Sequence, residues 1–462
     1  MRWAFPLLAA VHLLGLAAAP ALAQGQTCEI TPPLPRDMKR LGGGAGPETI
    51  YFSGPVHFVC TGGTTVKADS AVYVRGVSLQ LIGHVFYGDS VKTLTADAVD
   101  YIPPEGVLFA RGDVVLTDRK SESTIRGPRL EYRRAGEGRP EAVTIVQDRP
   151  HAVLRPRRAE AADAPADTAA QPLEVDADWM EFRGESQFRA VGRVEFRRGE
   201  ARGASSEAEF DEAAERLVLS NGAWIEDGEF RLIGDRIEAY LSGEHLRETT
   251  ATAAQKAVLV ARDLQVEAPF LRMYFEEGKL TRLVGEGQPA VAVARDYRLT
   301  ADSIDALAPG QALEQVIAVG GALAERLPDS LDVGLPAPID RDWLRGDTII
   351  GYFAASPEPQ QDSAAASDST QAKRVLERLV AVGEGGGARA MYRSRERGEG
   401  GAERPGVDYM TADRITLFLE AGEVRRMEAE GTVRGIHLEP TGSQAEQNAA
   451  GEERSPPATS AQ

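Results

Sequence analysis

The sequence predicts an all-β protein in which repeated antiparallel strands stack into two facing sheets. Two recurring motifs support this prediction. The first, Gly-x-Val at the end of an alternating strand, begins at Gly54, Gly83 and Gly112, with steps of 29 residues. The second, Ala-Asp followed by alternating apolar residues, begins at Ala68 and Ala96, a step of 28. Self-similarity at a fixed period of this length is typical of repeat architectures.

Both motifs resume after a break, and each copy has one apolar face and one charged face. Gly192 and Gly222 continue the first motif, and Asp178, Glu207 and Asp235 mark the companion strands. Strict alternation of this kind indicates half-buried strands, and stacking them buries the apolar faces between two sheets. The positions predicted to line this interior as lipid-groove candidates are Phe52, Val56, Phe58, Leu81, Val85, Leu108, Val114, Phe188, Val194, Phe196, Met427 and Val433.

The interior has two interpretations, a packed core or a groove for an apolar ligand. Large and small residues share the inward positions, as with Phe188 beside Ala190, so the composition leaves both open. The recurrent Gly is expected on the inward face, where it leaves space or permits a bulge.

The domain organisation follows from composition. Residues 1–23 have the charged start, apolar stretch and Ala21-Leu22-Ala23 cleavage site of a secretory signal. We therefore predict a signal peptide at 1–23, a Pro- and Gly-rich leading segment at 24–48, β repeats at 49–154, a linker at 155–172, β repeats at 173–326, C-terminal repeats at 327–440 with disordered insertions at 354–373 and 393–406, and a disordered tail at 441–462.

One stretch, from Glu244 to Arg262, is ambiguous. Its Ala content is compatible with a helix, whereas Val258-Leu259-Val260 favours a strand from Ala257 onward.

Cys28 and Cys60 are the two cysteines of the chain. In an exported protein an even pair favours one disulfide over two free thiols. Such a bridge would close a loop of about 30 residues and would stabilise the fold by roughly 3–4 kcal/mol.

Composition and missing motifs argue against several functional classes. A net charge of −18 argues against nucleic acid, whose phosphates attract clustered Lys and Arg. No zinc-site spacing, nucleophile elbow or phosphate loop occurs, and the glycine cluster at 383–387 lacks a surrounding parallel-sheet pattern. We therefore expect no catalytic residues, no metal, no cofactor and no enzymatic activity.

The repeated motifs resemble those of the OstA-like superfamily, which includes the lipopolysaccharide-transport proteins LptA, LptC and the N-terminal domain of LptD. The likeness is clearest where Leu94-Thr95-Ala96-Asp97-Ala98-Val99-Asp100-Tyr101 leads to Gly112-Asp113-Val114, and it extends to Asp342-Trp343-Leu344-Arg345-Gly346-Asp347. It covers roughly residues 49–440, and its strength lies in repetition because each motif consists of common residue types.

The resemblance implies a β-taco, or β-jellyroll, whose interior shelters the acyl chains of lipopolysaccharide or a similar glycolipid in the periplasm. It also implies partners: an inner-membrane ABC complex, an outer-membrane LptD-like translocon, and further copies of the chain joined end to end. The main alternative is a structural or polysaccharide-associated β-solenoid of the cell envelope with a filled core. A β-helical polysaccharide lyase or hydrolase is a weaker alternative.

Overall fold

The computed structural model describes fifteen stretches of the chain, and every structural statement below concerns them. They are residues 28–42, 46–61, 63–155, 172–184, 186–211, 213–227, 230–242, 245–261, 264–276, 279–294, 297–327, 341–355, 374–397, 403–420 and 423–438. The predicted signal peptide and tail lie outside the described residues, as do 156–171 of the linker and 356–373 of the first insertion.

The described chain is all-β and repetitive, which confirms the predicted fold class. Its strands pair antiparallel, and the described residues contain no α-helix, only a 3-10 turn at Pro309–Gln311. Within these residues, no helix has the length and apolar character needed to cross a membrane.

The chain divides into two compact units, the first formed by Met1–Gly285 with Pro309–Gln311 and the second by Glu286–Ala308 with Ala312–Gln462. The strands of the first unit are β1 (Cys28–Ile30), β2 (Asp37–Leu41), β3 (Thr49–Ser53), β4 (Val56–Cys60), β5 (Thr65–Ala68), β6 (Ser70–Val74), β7 (Ser78–Gly88), β8 (Lys92–Ile102), β9 (Val107–Asp118), β10 (Thr124–Arg133), β11 (Val143–Gln147), β12 (His151–Leu154), β13 (Leu173–Asp176), β14 (Trp179–Arg183), β15 (Gln187–Arg198), β16 (Ala201–Asp211), β17 (Arg216–Asp227), β18 (Phe230–Ser242), β19 (His245–Ala261) and β20 (Leu264–Glu276).

Strand β21 (Lys279–Ala294) contains the boundary between the units. The strands of the second unit are β22 (Tyr297–Leu307), β23 (Gln315–Arg326), β24 (Trp343–Ala355), β25 (Arg374–Val382), β26 (Ala388–Arg397), β27 (Glu403–Ala412), β28 (Arg414–Glu420), β29 (Glu423–Glu430) and β30 (Arg434–Leu438).

The strands of the first unit form a stack of layers, here called rungs. Each rung contributes to two facing halves of the sheet, here called half-sheets. Long strands such as β7, β8 and β9 pair along both halves, with a break in register between the halves. Elsewhere the same path is split into two short strands: β3 and β4 pair with β6 and β5, and β11 and β12 both pair with β10. The split rungs therefore have two short strands, whereas the other rungs have one long, bent strand.

The bend in each long strand, here called the corner, lies at the repeated motifs. Register breaks fall between Ile82 and Val85 in β7 and between Thr95 and Ala98 in β8, so each break contains the Gly or Ala-Asp motif. In β16 the break lies between Ala204 and Glu207. Ser206, rather than the predicted Glu207, thus occupies the position that Asp has in other copies.

The second unit follows the same plan. Strands β22, β23 and β24 are long and have register breaks at Thr300/Ser303 and Val319/Ala322. After β24 the two halves separate, one continuing through β26, β27 and β30 and the other through β25, β28 and β29.

The described strands bear on three of the predicted segments. Strands β12 and β13 flank the predicted linker and pair from His151↔Asp176 to Leu154↔Leu173, so the linker is inserted within one unit. The predicted disordered insertion at 393–406 is wrong in its described part, because residues 393–397 and 403–406 belong to the two paired strands of a β-hairpin, β26 and β27. The leading segment contains β1 and β2.

The structure also shows the conformation of the stretch from Glu244 to Arg262, for which the sequence leaves helix and strand open. Its described part is a single strand, β19, paired with both β18 and β20. The preference for strand is confirmed from Ala257 to Ala261, and the strand in fact begins already at His245.

Candidate functional site

The candidate site is the apolar interior between the half-sheets of the first unit. Alternate residues of both halves are buried, as in β7, where Leu79, Leu81, Val85 and Tyr87 are all at most 9% exposed. The buried faces meet: the ring centroids of Phe52 in one half and Phe58 in the other are 5.7 Å apart. An apolar interior therefore passes from rung to rung.

The structure brings ten of the predicted interior positions together in the first unit. Nine of these are buried: Phe52, Val56, Leu81, Val85, Leu108, Val114, Phe188, Val194 and Phe196. Phe58 is half-buried.

The two predicted positions in the second unit differ from the others. Met427 is half-buried, whereas Val433 is 48% exposed and does not line an interior. The prediction for Val433 is wrong because the chain bends at Gly431 and continues into β30, all of whose residues are exposed.

Further interior residues were not singled out from the sequence. Met180 and Phe182 on β14 are at most 2% exposed, and the Phe182 ring centroid lies 5.0 Å from that of Phe188. The alternation of Met180 and Phe182 with charged Glu181 was a usable signal for them.

The closed side of the interior is built by a repeated contact between Asp and Gly. At Gly112, φ is +75°, a backbone conformation that other residues rarely adopt, and an added methyl group would lie 2.7 Å from the Cβ of Asp97. Of the two predicted roles of the recurrent Gly, the structure therefore supports the bulge: the Gly lies at the break in register and leaves no space at its contact with Asp. The pairs that share this contact are Asp69–Gly83, Asp97–Gly112, Asp178–Gly192, Asp302–Gly320 and Asp413–Gly431.

Hydrogen bonds hold the corner Asp in place. The backbone N–H of Asp178 donates to the carbonyl of Gly192 at 2.8 Å, and Arg193 Nε donates to Asp178 Oδ1 at 3.0 Å. In the second unit the backbone N–H of Gly386 donates to Asp413 Oδ1 at 2.7 Å. The glycine cluster at 383–387 thus forms part of a corner.

The outer faces of the first unit carry cross-strand ion pairs. Arg202 and Glu226 on neighbouring strands are 2.9 Å apart, and Arg111 and Asp100 are 2.8 Å apart. Burial alone would raise the pKa of Glu238, but hydrogen bonds from Arg236, Tyr240 and Arg216 lower it to about 2. These positive and negative charges largely compensate one another on the solvent side.

At the strand ends opposite the corner, polar groups point inward; we call this region the turn rim. Lys92 and Asp118 face each other across β8 and β9, and both are buried. Lys92 Nζ lies 5.0 Å from the ring centroid of Tyr132, which belongs to the opposite half-sheet. Burial lowers the pKa of Lys92 to about 8, against the opposing effects of Asp89 and Asp118.

Cys28 and Cys60 form a disulfide and lie opposite each other in the β1–β4 register. All three residues of β1 are exposed, so the bridge ties a peripheral strand to the stack. Strand β2 is equally exposed and pairs with β3.

The described interior presents apolar side chains and, at the turn rim, a few charged and hydroxyl groups. Within the described ranges, no three His, Cys, Asp or Glu side chains lie close enough together to hold a metal ion. The arrangement can bind apolar matter by contact and can hold polar groups at its rim.

Comparison with known proteins gives no relative: no family model and no curated protein matches this chain. The resemblance to OstA-like proteins accordingly rests on the repeated Ala-Asp and Gly-x-Val motifs.

Proposed function

We propose that this protein is a non-enzymatic periplasmic lipid carrier. In this proposal it shelters the acyl chains of lipopolysaccharide, or of a similar glycolipid, on the way to the outer membrane. The observation that carries the proposal is the apolar interior of the first unit, enclosed by half-sheets whose outer faces are charged.

The hydrophobic effect supplies the driving force. Each methylene moved from water into an apolar site contributes about 0.8 kcal/mol, so a chain of a dozen methylenes gains on the order of 10 kcal/mol. Similar apolar side chains recur in successive rungs, such as Val85, Val114 and Val194. A chain could therefore move between sites of nearly equal free energy without becoming trapped.

Lipid binding requires the half-sheets to separate, because the inward side chains pack against one another. The corner is fixed by the Asp–Gly contacts and by continuous backbone. At the turn rim the halves meet through side chains, as where Lys92 approaches Tyr132. We therefore place the opening at the turn rim.

The proposal includes partners that add strands to the free edges. In the described chain, β1 and β2 each pair on one side only, as do β29 and β30. Uncovered edges invite pairing with another chain. The proposed partners are further copies of this chain, an inner-membrane ABC complex and an outer-membrane LptD-like translocon.

A periplasmic location is consistent with the disulfide, since such bridges persist in oxidising compartments. The signal peptide that would direct export lies outside the described residues.

A structural β-solenoid of the envelope is the second candidate. One observation favours it: nine predicted groove positions are at most 8% exposed, as in a filled core. The two candidates differ in one respect, because a solenoid with a permanent core holds no lipid.

Lipid analysis of the protein purified from the periplasm of a Gram-negative host tests the proposal. Mass spectrometry is expected to find an acylated glycolipid in near-stoichiometric amount with the wild type. Val114→Asp places a carboxylate in the interior, and the matched control Val115→Asp alters the outward neighbour on β9. We expect bound lipid to fall in folded Val114→Asp and to persist in Val115→Asp. Intact wild-type protein without acylated lipid would favour the solenoid.

A further inference from the structure

Two buried tyrosines mark one part of the turn rim in the first unit. Tyr101 on β8 and Tyr132 on β10 both lie opposite Leu108 of the intervening strand β9, so they share one face of the same half-sheet. They are 3% and 5% exposed. Their phenol groups belong to the inward face at the end of the strands, where the opening is proposed.

Two arginines follow directly in the loop after β10. The backbone N–H of Arg134 donates to the carbonyl of Gly106 at 2.8 Å, and a methyl group at Gly106 would lie 3.2 Å from Arg134 Nε. Arg139 Nε donates to the carbonyl of Arg134 at 2.8 Å. These contacts hold Arg134 beside the β8–β9 turn and Arg139 beside Arg134.

These arginines differ from their neighbours on β10. Arg129 pairs with Asp148 at 2.7 Å, and Arg133 pairs with Glu131. Within the described part of the chain, neither Arg134 nor Arg139 belongs to an ion pair. Both residues are half-buried.

The electrostatics of the tyrosines point the same way. Burial raises the pKa of Tyr132 to about 12, and Arg134 and Arg139 act against that rise; Arg134 has the same effect on the pKa of Tyr101.

We infer that Tyr101, Tyr132, Arg134 and Arg139 form a binding site for a phosphate group at the turn rim. Guanidinium groups match phosphate oxygens with paired N–H donors, and the phenol hydroxyl of Tyr101 adds a further donor. If the lipid carrier function proposed above holds, the phosphate is that of a lipid headgroup whose chains enter the adjacent interior. A free phosphate ion has the same chemistry and is the other possible source.

Isothermal titration calorimetry of the full-length mature protein tests this site with three probes. These are dihexanoyl phosphatidic acid as monomers, dihexanoylglycerol with the same chains and no phosphate, and inorganic phosphate. The variants are the double variant Arg134→Gln/Arg139→Gln and Tyr101→Phe, which removes one phenol hydroxyl. The control is Arg133→Gln, because this neighbouring arginine already pairs with Glu131. Circular dichroism checks that each variant is folded.

We expect the wild type to bind phosphatidic acid more tightly than dihexanoylglycerol. The double variant should lose at least about tenfold in affinity for phosphatidic acid and keep its affinity for dihexanoylglycerol. Tyr101→Phe should lose about threefold, and Arg133→Gln should stay within about twofold of the wild type. If phosphate binds as tightly as phosphatidic acid and depends on both arginines, the site is upheld and takes the free ion.

Two results separate this inference from the proposed function. Equal binding of both lipids, unchanged in the double variant, would overturn the phosphate site and leave the carrier function standing. Arginine-dependent phosphate binding without binding of either lipid would uphold the site and contradict the carrier function. Failure of all three probes to bind would overturn the site.

Discussion

The corner lies within the long strands and the turn rim lies at their ends, and the two regions are built by different rules. At the corner an Asp packs on a Gly with positive φ in copy after copy, such as Asp97 on Gly112. At the turn rim each rung differs: Lys92 and Asp118 pair on β8 and β9, whereas Tyr132 ends the inward row of β10. The constant corner fixes the backbone, and the variable turn rim is free to carry recognition chemistry.

The largest expected effect concerns the apolar interior between the corner and the turn rim. Val194→Asp would bury an unpaired carboxylate at a position that is 1% exposed, at a cost of about 3–5 kcal/mol in the free energy of unfolding. Glu195→Gln, on the outward side of the same strand, should change stability by less than about 0.5 kcal/mol. Urea unfolding of both variants measures the difference. Similar stability losses would contradict the assignment of inward and outward faces.

A smaller effect is expected at the corner itself. Gly112→Ala adds a methyl group against Asp97 to the strain of positive φ and should cost about 3 kcal/mol. Gly222 has φ +73° but no atom within 4 Å of the added methyl, so Gly222→Ala should cost only about 1 kcal/mol. The difference between the two variants in thermal unfolding measures the cost of the clash with Asp97 apart from the cost of positive φ. Equal losses would show that the Asp contact contributes nothing.

The disulfide ties the first edge strand, β1, to strand β4 of the stack. Cys28→Ser removes a link across 32 residues and should lower the free energy of unfolding by about 3 kcal/mol. We expect faster hydrogen exchange confined to β1, because its three residues are exposed and depend on β4 alone. Mass mapping without reductant that finds both thiols free in wild-type periplasmic protein would exclude the bridge.

The turn rim should show itself in the pH dependence of stability. Because the pKa of Lys92 is about 8 in the folded protein and near 10.5 when unfolded, the unfolded chain binds more protons between these values. Stability from this group therefore rises with pH, by about 1–2 kcal/mol between pH 7 and pH 9.5. Lys92→Met should remove that rise in denaturant titrations at the two pH values. An unchanged pH profile would show that Lys92 is not the titrating group.

Much of the architecture was predictable because alternation and the 28–29-residue period are local properties of the sequence. Strand positions around Val85, Val114 and Val194 follow from alternation alone. The contact of the recurrent Gly with an Asp was not predictable in the same way. Its Asp partner lies 14 residues earlier in Asp69–Gly83 and 18 residues earlier in Asp413–Gly431, and only the antiparallel register brings the pairs together.

Departures from the repeat were harder to read. Ser206 replaces the corner Asp, so Glu207 was mistaken for its equivalent. Lys92 lies on the same inward face of β8 as Leu94 and Ala96, and this alternation indicates that Lys92 is buried. Val433 was placed inside because alternation was extended across Gly431, where the strand has already ended.

Site-specific photo-crosslinking in the native periplasm tests the central claim, that the interior shelters lipid chains, most directly. A photoreactive residue would replace inward Val85, Val114 or Val194 in separate variants, with outward Arg193 and Glu195 as matched controls on the strand of Val194. The account predicts lipid adducts at the three inward positions and none at the two outward positions. Equal labelling of both faces, or no lipid adduct at any inward position in folded protein, would contradict it.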